Sequence, residues 1–302
     1  MNISEPSRGN NNLVAEYIRK ADHVLIGAGA GLSAAAGIDY GDTQIFAKLF
    51  PQLVKKGFRR QYELIGYNPW SEGEKWAYWA THVNYVRFQF PPSQLYATLL
   101  KNITEKDYFI ITTNVEAMFH KTGFAADRIY TPQGDYARLQ CVKPCTTETW
   151  PSKPVIDNIL PSIDAETFTV TDLGFIPRCP RCGGRVFLNV HLDSGYNAEP
   201  YKEQLHRYQS WLQIAANEEL LIVELGVGFN SPGVIRWPFE RMVQLLPHVQ
   251  FIRINAKNAD VPVDIKNKSI SIKEDIKDVL LALPLLRTST GNPHLNPVSK
   301  NV

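Results

Sequence analysis

"HVLIGAGAGLSAAAG", His23 to Gly37, sets an apolar run against three glycines and then a stretch of small residues. A short apolar run bounded by turn residues reads as a buried strand, the glycines as a tight turn, and the small residues after them as the start of a helix. Strand, Gly-rich turn and helix in immediate succession open an α/β fold. Upstream, Asn12 to Ala21 has helical spacing at Leu13, Tyr17 and Ile18. Downstream, "YFIITTN" (Tyr108 to Asn114), "ELLIVELGVG" (Glu219 to Gly228) and "VQFIRINA" (Val249 to Ala256) repeat the apolar run with turn residues at its end. Such runs, separated by helical or inserted segments, predict a parallel sheet covered on both faces. "IKEDIKDVLLALPLL" (Ile272 to Leu286) reads as a closing helix, and the polar, Pro-containing residues 288–302 as a flexible tail, like residues 1–11.

Two stretches interrupt the sheet pattern. Asp42 to Gln89 is aromatic-rich and helical in period, with Trp76, Trp79, Ala80, Val83 and Val86 near one face, so 42–89 is assigned as a helical insertion whose rings mostly pack a core. Residues 138–190 contain all four cysteines, several prolines and little helix signal, and read as a small metal module spliced into the main domain. That domain is then discontinuous, made of 12–41, 90–137 and 191–287.

Composition bounds the function. A chain of 302 residues with 44% hydrophobic content buries roughly three quarters of its unfolded surface, enough for one large domain or one large plus one small. Lys plus Arg number 32 against 30 Asp plus Glu, with no long run of either sign. The electrostatic footprint of a nucleic-acid or anionic-membrane binder is therefore not expected. "MNISEPSRGNNN" shows no apolar signal core, and no run of 18 apolar residues exists. The expectation is a soluble, cytoplasmic protein.

The cysteines fall as Cys141-x3-Cys145 and, 33 residues later, Cys179-x2-Cys182 followed by Gly183 and Gly184. Two close thiolate pairs can close a tetrahedron around Zn2+ with no position left for water. Zinc in such a site stabilises the module and activates no nucleophile. The competing reading is four unrelated buried thiols.

The Gly-rich turn Gly27 to Ser33 offers a tight backbone and a helix N-terminus to a pyrophosphate, although it lacks the third-glycine spacing of the usual dinucleotide fingerprint. Alone it reads equally as a structural turn. "TTNVE" (Thr112 to Glu116) and "LGVGFNSPG" (Leu225 to Gly233) also sit at predicted strand ends, where open α/β sheets bind ligands.

Taken together, "GAGLSAAAGIDY", "TTNVEAMFHKTG", "PQGDYARLQC", "CPRCGG", "LGVGFNSPG" and "IRIN" resemble, in order and spacing, the successive motifs of the sirtuin family of NAD-consuming enzymes over most of Val24 to Ala256. The resemblance implies a large Rossmann-like domain, a small zinc domain with a helical module, and NAD in the cleft between them. It implies Asn114 and Glu116 at the nicotinamide and ribose end, and the loops of Gly226 and Asn255 at the adenosine end. The NAD-binding set it implies is Gly29, Ala30, Gly31, Ser33, Ala36, Gly37, Asp39, Tyr40, Thr113, Asn114, Val115, Glu116, Gln133, Gly226, Val227, Gly228, Asn230, Asn255 and Ala256. Asp39 either orients the nicotinamide carboxamide or caps a turn. Asn230 and Ser231 either contact adenosine or shape their loop.

The departures are informative. Sirtuin deacylases read GIPDFR where this chain reads "GIDYGD", without the proline or the arginine. Thr113 and Glu116 replace the usual glutamine and aspartate, and Gln133 replaces the histidine of the usual His-Gly pair. These features resemble the macrodomain-linked, class M sirtuins. That subclass is associated with protein ADP-ribosylation, typically of a lipoyl-carrying protein related to the glycine-cleavage H protein, with a macrodomain hydrolase as counterpart.

Breaking the nicotinamide bond leaves positive charge on the ribose. In a deacylase a histidine then draws a proton from a ribose hydroxyl, whereas the Gln133 amide can exchange hydrogen bonds but is not basic near neutral pH. Loss of a general base costs about a hundred- to ten-thousand-fold on the step it serves. Deacylation is the crippled branch, and transfer of ADP-ribose remains open. Asn114, Gln133 and Glu116 are the candidate catalytic residues. Glu116 is either an acid/base group or a ribose or backbone anchor, and His120 reads as a helix-surface residue. The sequence thus predicts an NAD-dependent protein ADP-ribosyltransferase. The alternatives are an NAD-dependent deacylase, an NAD hydrolase, or a non-catalytic NAD or ADP-ribose sensor.

Overall fold

The computed structural model describes residues 8–67 and 69–284. The tail expected at 288–302, and residues 1–7 of the leading one, lie outside the described residues. Residues 8–11 are no tail. The first helix begins at Arg8 and runs to Lys20, with Asn11 buried and Asn10 Nδ2 donating to Glu274 Oε1 at 2.7 Å.

Six strands form the main sheet: β1 His23–Ala28, β2 Asp107–Thr112, β3 Ile129–Tyr130, β7 Leu220–Leu225, β8 Val249–Ile254 and β9 Ser269–Ile272. Every neighbouring pair is parallel, in the order β3-β2-β1-β7-β8-β9. The apolar runs explain why. Val24 to Ala28 and all of β7 are buried on both faces, which a parallel sheet demands and an alternating sequence could not satisfy. A second sheet holds β4 Gly134–Cys141 between β5 Trp150–Pro151 and β6 Val186–Val190, antiparallel to both. The strand that carries Cys141 starts before residue 138, so the first half of β4 lies on the sheet-domain side of the boundary drawn from sequence.

Two elements differ from the sequence reading. The closing helix is only Ile276–Leu281, because Ile272 completes edge strand β9 and Asp275 caps the helix by accepting from Lys277 N at 2.8 Å. Within the cysteine segment, Lys153–Ile159 is helical with Pro154 in its first turn, where a missing N–H costs nothing.

The 42–89 segment is helical, with helices Thr43–Leu49, Pro51–Lys55 and Glu72–Val83 and a π-helical turn Asn84–Gln89. Ser71 and Glu74 cap Glu72–Val83 reciprocally: Glu74 N donates to Ser71 Oγ at 3.2 Å and Ser71 N to Glu74 Oε2 at 3.0 Å. Such a cap is worth about 1 kcal/mol. Trp76, Trp79, Ala80, Val83 and Val86 are all buried, and Trp76 and Trp79 meet Phe187 of β6 edge-on at 6.1 and 5.5 Å. The helical segment and the second sheet therefore share one apolar core. Among the described residues no helix is long and apolar enough to cross a membrane.

Candidate active site

The strand order reverses between β1 and β7, and open α/β sheets bind ligands in the crevice at such a point, outside the carboxyl ends of the strands. Four loops meet there: Gly29 to Gly31, Thr113 to Ala117, Gly226 to Ser231 and Asn255 to Asn258. They interlock by backbone. Gly29 N donates to Leu225 O at 3.0 Å, Gly31 N to Gly226 O at 3.0 Å, and Gly226 N to Ile254 O at 3.1 Å. A Cβ on Gly29 or Gly31 would come within 2.8 or 2.7 Å of the Gly226 backbone, and one on Gly226 within 2.5 Å of Leu32 N. Gly226 also has φ 63°, which favours glycine. The glycines thus serve loop-on-loop packing first. Of the N–H groups in the turn, that of Gly31 is engaged by the Gly226 carbonyl.

The resulting cleft has a volume of about 1080 Å³ and is lined by Gly29, Ala30, Gly31, Asp39, Thr113, Asn114, Gln133, Gly226, Val227, Gly228, Asn230, Asn255 and Ala256 of the predicted set. That volume is at the top of the range of about 300–1,000 Å³ for ligand sites, and the size and four strand-end loops fit a dinucleotide. Ser33, Ala36, Gly37, Tyr40, Val115 and Glu116 do not line it. Ala36 ends the short helix Ala30–Ala35, and Gly37 turns the chain away with φ 103°. The Tyr40 hydroxyl is 3.3 Å from that of Tyr136 and 3.2 Å from His82 Nε2. The Val115 carbonyl accepts from Tyr136 N at 3.0 Å. His120 is exposed on the helix Met118–Lys121.

Behind the lining stands Glu116. It is buried, and its carboxylate accepts from Ser33 Oγ at 2.8 Å. Burial raises its pKa, opposed by hydrogen bonds from its own backbone amide and from Ser33. Of the two readings of Glu116, this contact supports the anchoring one, since it ties the β2 loop to the first helix. Asn114 does the same from the cleft wall, donating from Nδ2 to Gly29 O at 2.9 Å. Ala117 closes the loop at φ 59°, a left-handed conformation that costs a non-glycine residue about 1–3 kcal/mol and gathers at functional sites. Asp39 lines the cleft and also accepts from Gly41 N at 2.8 Å, so it caps its turn.

Gln133 reaches the cleft from the turn before β4. Gly134 follows at φ 94°, with Asn189 O only 2.1 Å from where a Cβ would sit, so no other residue fits there without shifting β6. Asp135 then pairs with Arg87, which donates from Nε at 2.7 Å and from Nη2 at 3.1 Å. A bidentate pair of this kind fixes the turn rigidly.

The loops after β7 and β8 rest on side chains invisible to motif reading. Asn255 donates from Nδ2 to Val227 O at 3.0 Å and accepts from Lys257 N and Asn258 N at 3.0 and 2.9 Å. Beneath it, Glu224 of β7 and Arg253 of β8 are fully buried and paired at 2.7 and 3.0 Å, and Arg253 also reaches Glu240 at 2.8 Å and Asp260 O at 2.6 Å. Arg236 donates to Asn258 O and Asp260 O at 3.0 Å each and lies 4.4 Å from the ring centre of Phe229, which lines the cleft. Arg60, Tyr62 and Glu63 line the opposite wall from the helical insertion. Nothing local in the sequence marks them, because packing across the fold brings them there.

The four cysteines converge. Sγ of Cys145 lies 3.6 Å from Cys141 and 3.5 Å from Cys179, Sγ of Cys141 lies 3.7 Å from Cys182, and all four sulfurs fall within 4.8 Å of one another. A tetrahedron with Zn–S arms of about 2.3 Å has edges of about 3.8 Å, so the donor set and its spacing fit zinc. The thiols are unbridged by disulfides.

A parallel sheet with an interlocked Gly-rich crevice, joined to a smaller sheet whose central strand carries one of four clustered cysteines, defines a Rossmann-like α/β protein. No family model matches the chain. It is 35% identical over 292 residues to a protein of Fusarium oxysporum f. sp. cubense described as a probable bifunctional ADP-ribose hydrolase/ADP-ribosyltransferase, covering 94% of this chain and 49% of that one. The chain thus spans about half the length of this fungal relative. It is 28% identical over 288 residues to a protein ADP-ribosyltransferase of Staphylococcus aureus, covering 92% and 88%. Among solved structures, a Sir2 homologue–NAD complex superposes with a TM-score of 0.54 at 16% identity, covering 90% of this chain and 91% of that one. A mutant Sir2 homologue–ADP-ribose complex gives 0.55 at 15%, covering 90% and 94%. The protein has the Sir2 fold.

Proposed function

We propose that the protein is an NAD-dependent protein ADP-ribosyltransferase of the class M sirtuin type. The observation that carries this reading is Gln133: the cleft wall holds a non-basic amide where a deacylase holds its histidine. The names of the fungal and staphylococcal relatives support it, and the Sir2 homologue complexes with NAD and ADP-ribose support NAD as the donor. In this reading Asn114 and Gln133 hold the reacting ribose by hydrogen bonds, while Glu116 and Ser33 fix the loop behind them. Ala30, Gly228 and Asn230 lie along the phosphate and adenosine path, and Asn255 braces its far end. A lipoyl-carrying protein related to the glycine-cleavage H protein is the acceptor proposed from the class M resemblance. The bifunctional description of the fungal relative supports a macrodomain hydrolase as counterpart. Zn2+ in the cysteine cluster would be held by Cys141, Cys145, Cys179 and Cys182, would stabilise the second lobe, and suits a reducing, cytoplasmic compartment.

The test is to incubate the full chain with NAD and candidate acceptors and follow added mass on the protein beside loss of acyl groups from acyl-lysine peptides. ADP-ribosylation without deacylation is expected, and robust deacylation with Gln133 intact overturns the reading. Asn114→Ala should depress nicotinamide release at saturating NAD by about 10- to 100-fold with a smaller change in NAD affinity, since the contact lies at the reacting end. An affinity collapse with normal turnover would move Asn114 away from the nicotinamide.

A further inference from the structure

The Gly-rich turn has few N–H groups to spare for an anion. Those of Gly29, Gly31 and Leu32 donate to Leu225 O, Gly226 O and Gly29 O at 3.0 Å each, and that of Gly226 donates to Ile254 O at 3.1 Å. A doubly anionic diphosphate in this cleft therefore needs partners among the side chains. The charged residues of the lining are Asp39, Glu63 and Asp275, with Arg60 and Lys257 against them. All of these carboxylates are engaged. Asp39 accepts from Gly41 N, Glu63 from Arg59 N and Asp275 from Lys277 N, each at 2.8 Å. Neither cation has a hydrogen bond or an ion pair among the described residues. Lys257 belongs to the loop after β8, at the end of the cleft braced by Asn255, which leaves Arg60 for the diphosphate. Backbone contacts fix where Arg60 stands. It opens the 3-10 turn Gln61–Leu64, in which the backbone N of buried Gln61 donates to Tyr40 O at 3.1 Å and Tyr62 N reaches the same carbonyl at 3.4 Å. The Tyr40 and Tyr62 rings meet at 5.9 Å. The segment is thus clipped to the turn after the helix Ala30–Ala35, and the exposed Arg60 shares the cleft with Ala34, Ala35 and Gly41.

We propose that Arg60 binds the diphosphate of the dinucleotide, so that the helical insertion supplies the positive charge that the Gly-rich turn does not. This rests on the reading that the cleft takes NAD. A planar guanidinium can give two parallel N–H bonds to phosphate oxygens, which an ammonium cannot. The diphosphate is unchanged when the bond to nicotinamide breaks, so the contact is as strong before the reaction as during it. Arg60 therefore sets affinity for the dinucleotide and leaves the rate of the bound complex alone.

Probes that share a base and differ in phosphate test this on the full chain: adenosine, ADP and ADP-ribose, titrated by calorimetry. Arg60→Ala should bind ADP and ADP-ribose about 10- to 100-fold more weakly than the native chain does, with adenosine affinity unchanged. Arg60→Lys should recover part of that loss, because it keeps the charge without the fork. In nicotinamide release, KM for NAD should rise by a similar factor in Arg60→Ala while kcat stays near the native value. Equal affinity of the native chain and Arg60→Ala for ADP-ribose overturns the inference. So does an equal loss for adenosine, which would make Arg60 a shaping residue of the wall, and so does a fall in kcat at unchanged KM. If the native chain binds neither NAD nor ADP-ribose, the proposed function falls and this inference with it.

Discussion

The loops at the ends of β7 and β8 and the cysteine cluster are both polar assemblies inside the fold, yet they are held in opposite ways. Under the loops, Glu224, Arg253, Glu240 and Arg236 satisfy one another and the carbonyls of Asn258 and Asp260. Every charge there has its partner in the protein. The cysteine cluster has four sulfurs at near-contact spacing, with Cys141 Sγ donating to Lys143 O at 2.7 Å and backbone amides donating to Cys141 and Cys179. The first assembly is complete without a ligand, whereas the second has the sulfur spacing that a zinc ion would complete. The side of the cleft built from the β7 and β8 loops is therefore preformed, while the lobe with the cysteines would depend on an ion in the proposed zinc site.

The strongest way to break that contrast is to remove a sulfur. Structural zinc contributes apparent folding energies of about 10–16 kcal/mol in small metal modules, so Cys179→Ser or a strong chelator should unfold the second sheet and leave the first standing. Loss of protection in β4 to β6, with slow hydrogen exchange kept in β1 and β7, is the expected pattern. Unchanged zinc content in the purified variant would remove zinc from the account.

Removing one member of the buried ion network comes next. Arg253→Ala takes away both hydrogen bonds to Glu224 and leaves it only Arg236 at 3.6 Å, and breaking a buried pair costs about 3–5 kcal/mol. Denaturant midpoints should fall accordingly, and NAD affinity should fall with them, because the Asn255 to Asp260 loop loses a brace. A variant with native stability would show that the network is incidental.

The smallest effect comes from His82, in the shared aromatic core between the two assemblies. Burial among Tyr40, Tyr78, Trp79 and Tyr136 pushes its pKa down to about 3. The folded state keeps it neutral while the unfolded chain protonates it near its ordinary pKa of about 6.5. The unfolded state therefore binds the extra proton, and stability is lost as pH falls from about 6.5 toward 3, at up to about 1.4 kcal/mol per unit. Between pH 6.5 and 5 the native chain should lose about 2 kcal/mol more than His82→Gln. Equal pH slopes for the two would mean that His82 is hydrated.

Much of the framework was legible in the sequence. The runs at Val24 to Ala28, Tyr108 to Thr112, Leu220 to Leu225 and Phe251 to Ile254 are buried on both faces, and such runs announce parallel strands whatever surrounds them. Cys141, Cys145, Cys179 and Cys182 were legible as a set because thiolate pairs at close spacing have few other uses. Less legible was the short edge strand β9, whose last residue, Ile272, reads in sequence as the start of the closing helix because one apolar residue fits either period.

What the sequence determined by itself is the order of motifs and the chemistry each can supply: glycines that let backbones touch, an amide at Gln133 without basicity, and four sulfurs for one ion. Those follow from residue type and local spacing. Tertiary structure alone decided that Gly29 and Gly31 spend their freedom on Gly226, that Glu116 stands behind the cleft with Ser33, and that Arg60 and Tyr62 form its far wall. Each of these joins segments far apart in the chain, and such contacts are set by sheet order and strand register, which no local window of sequence encodes.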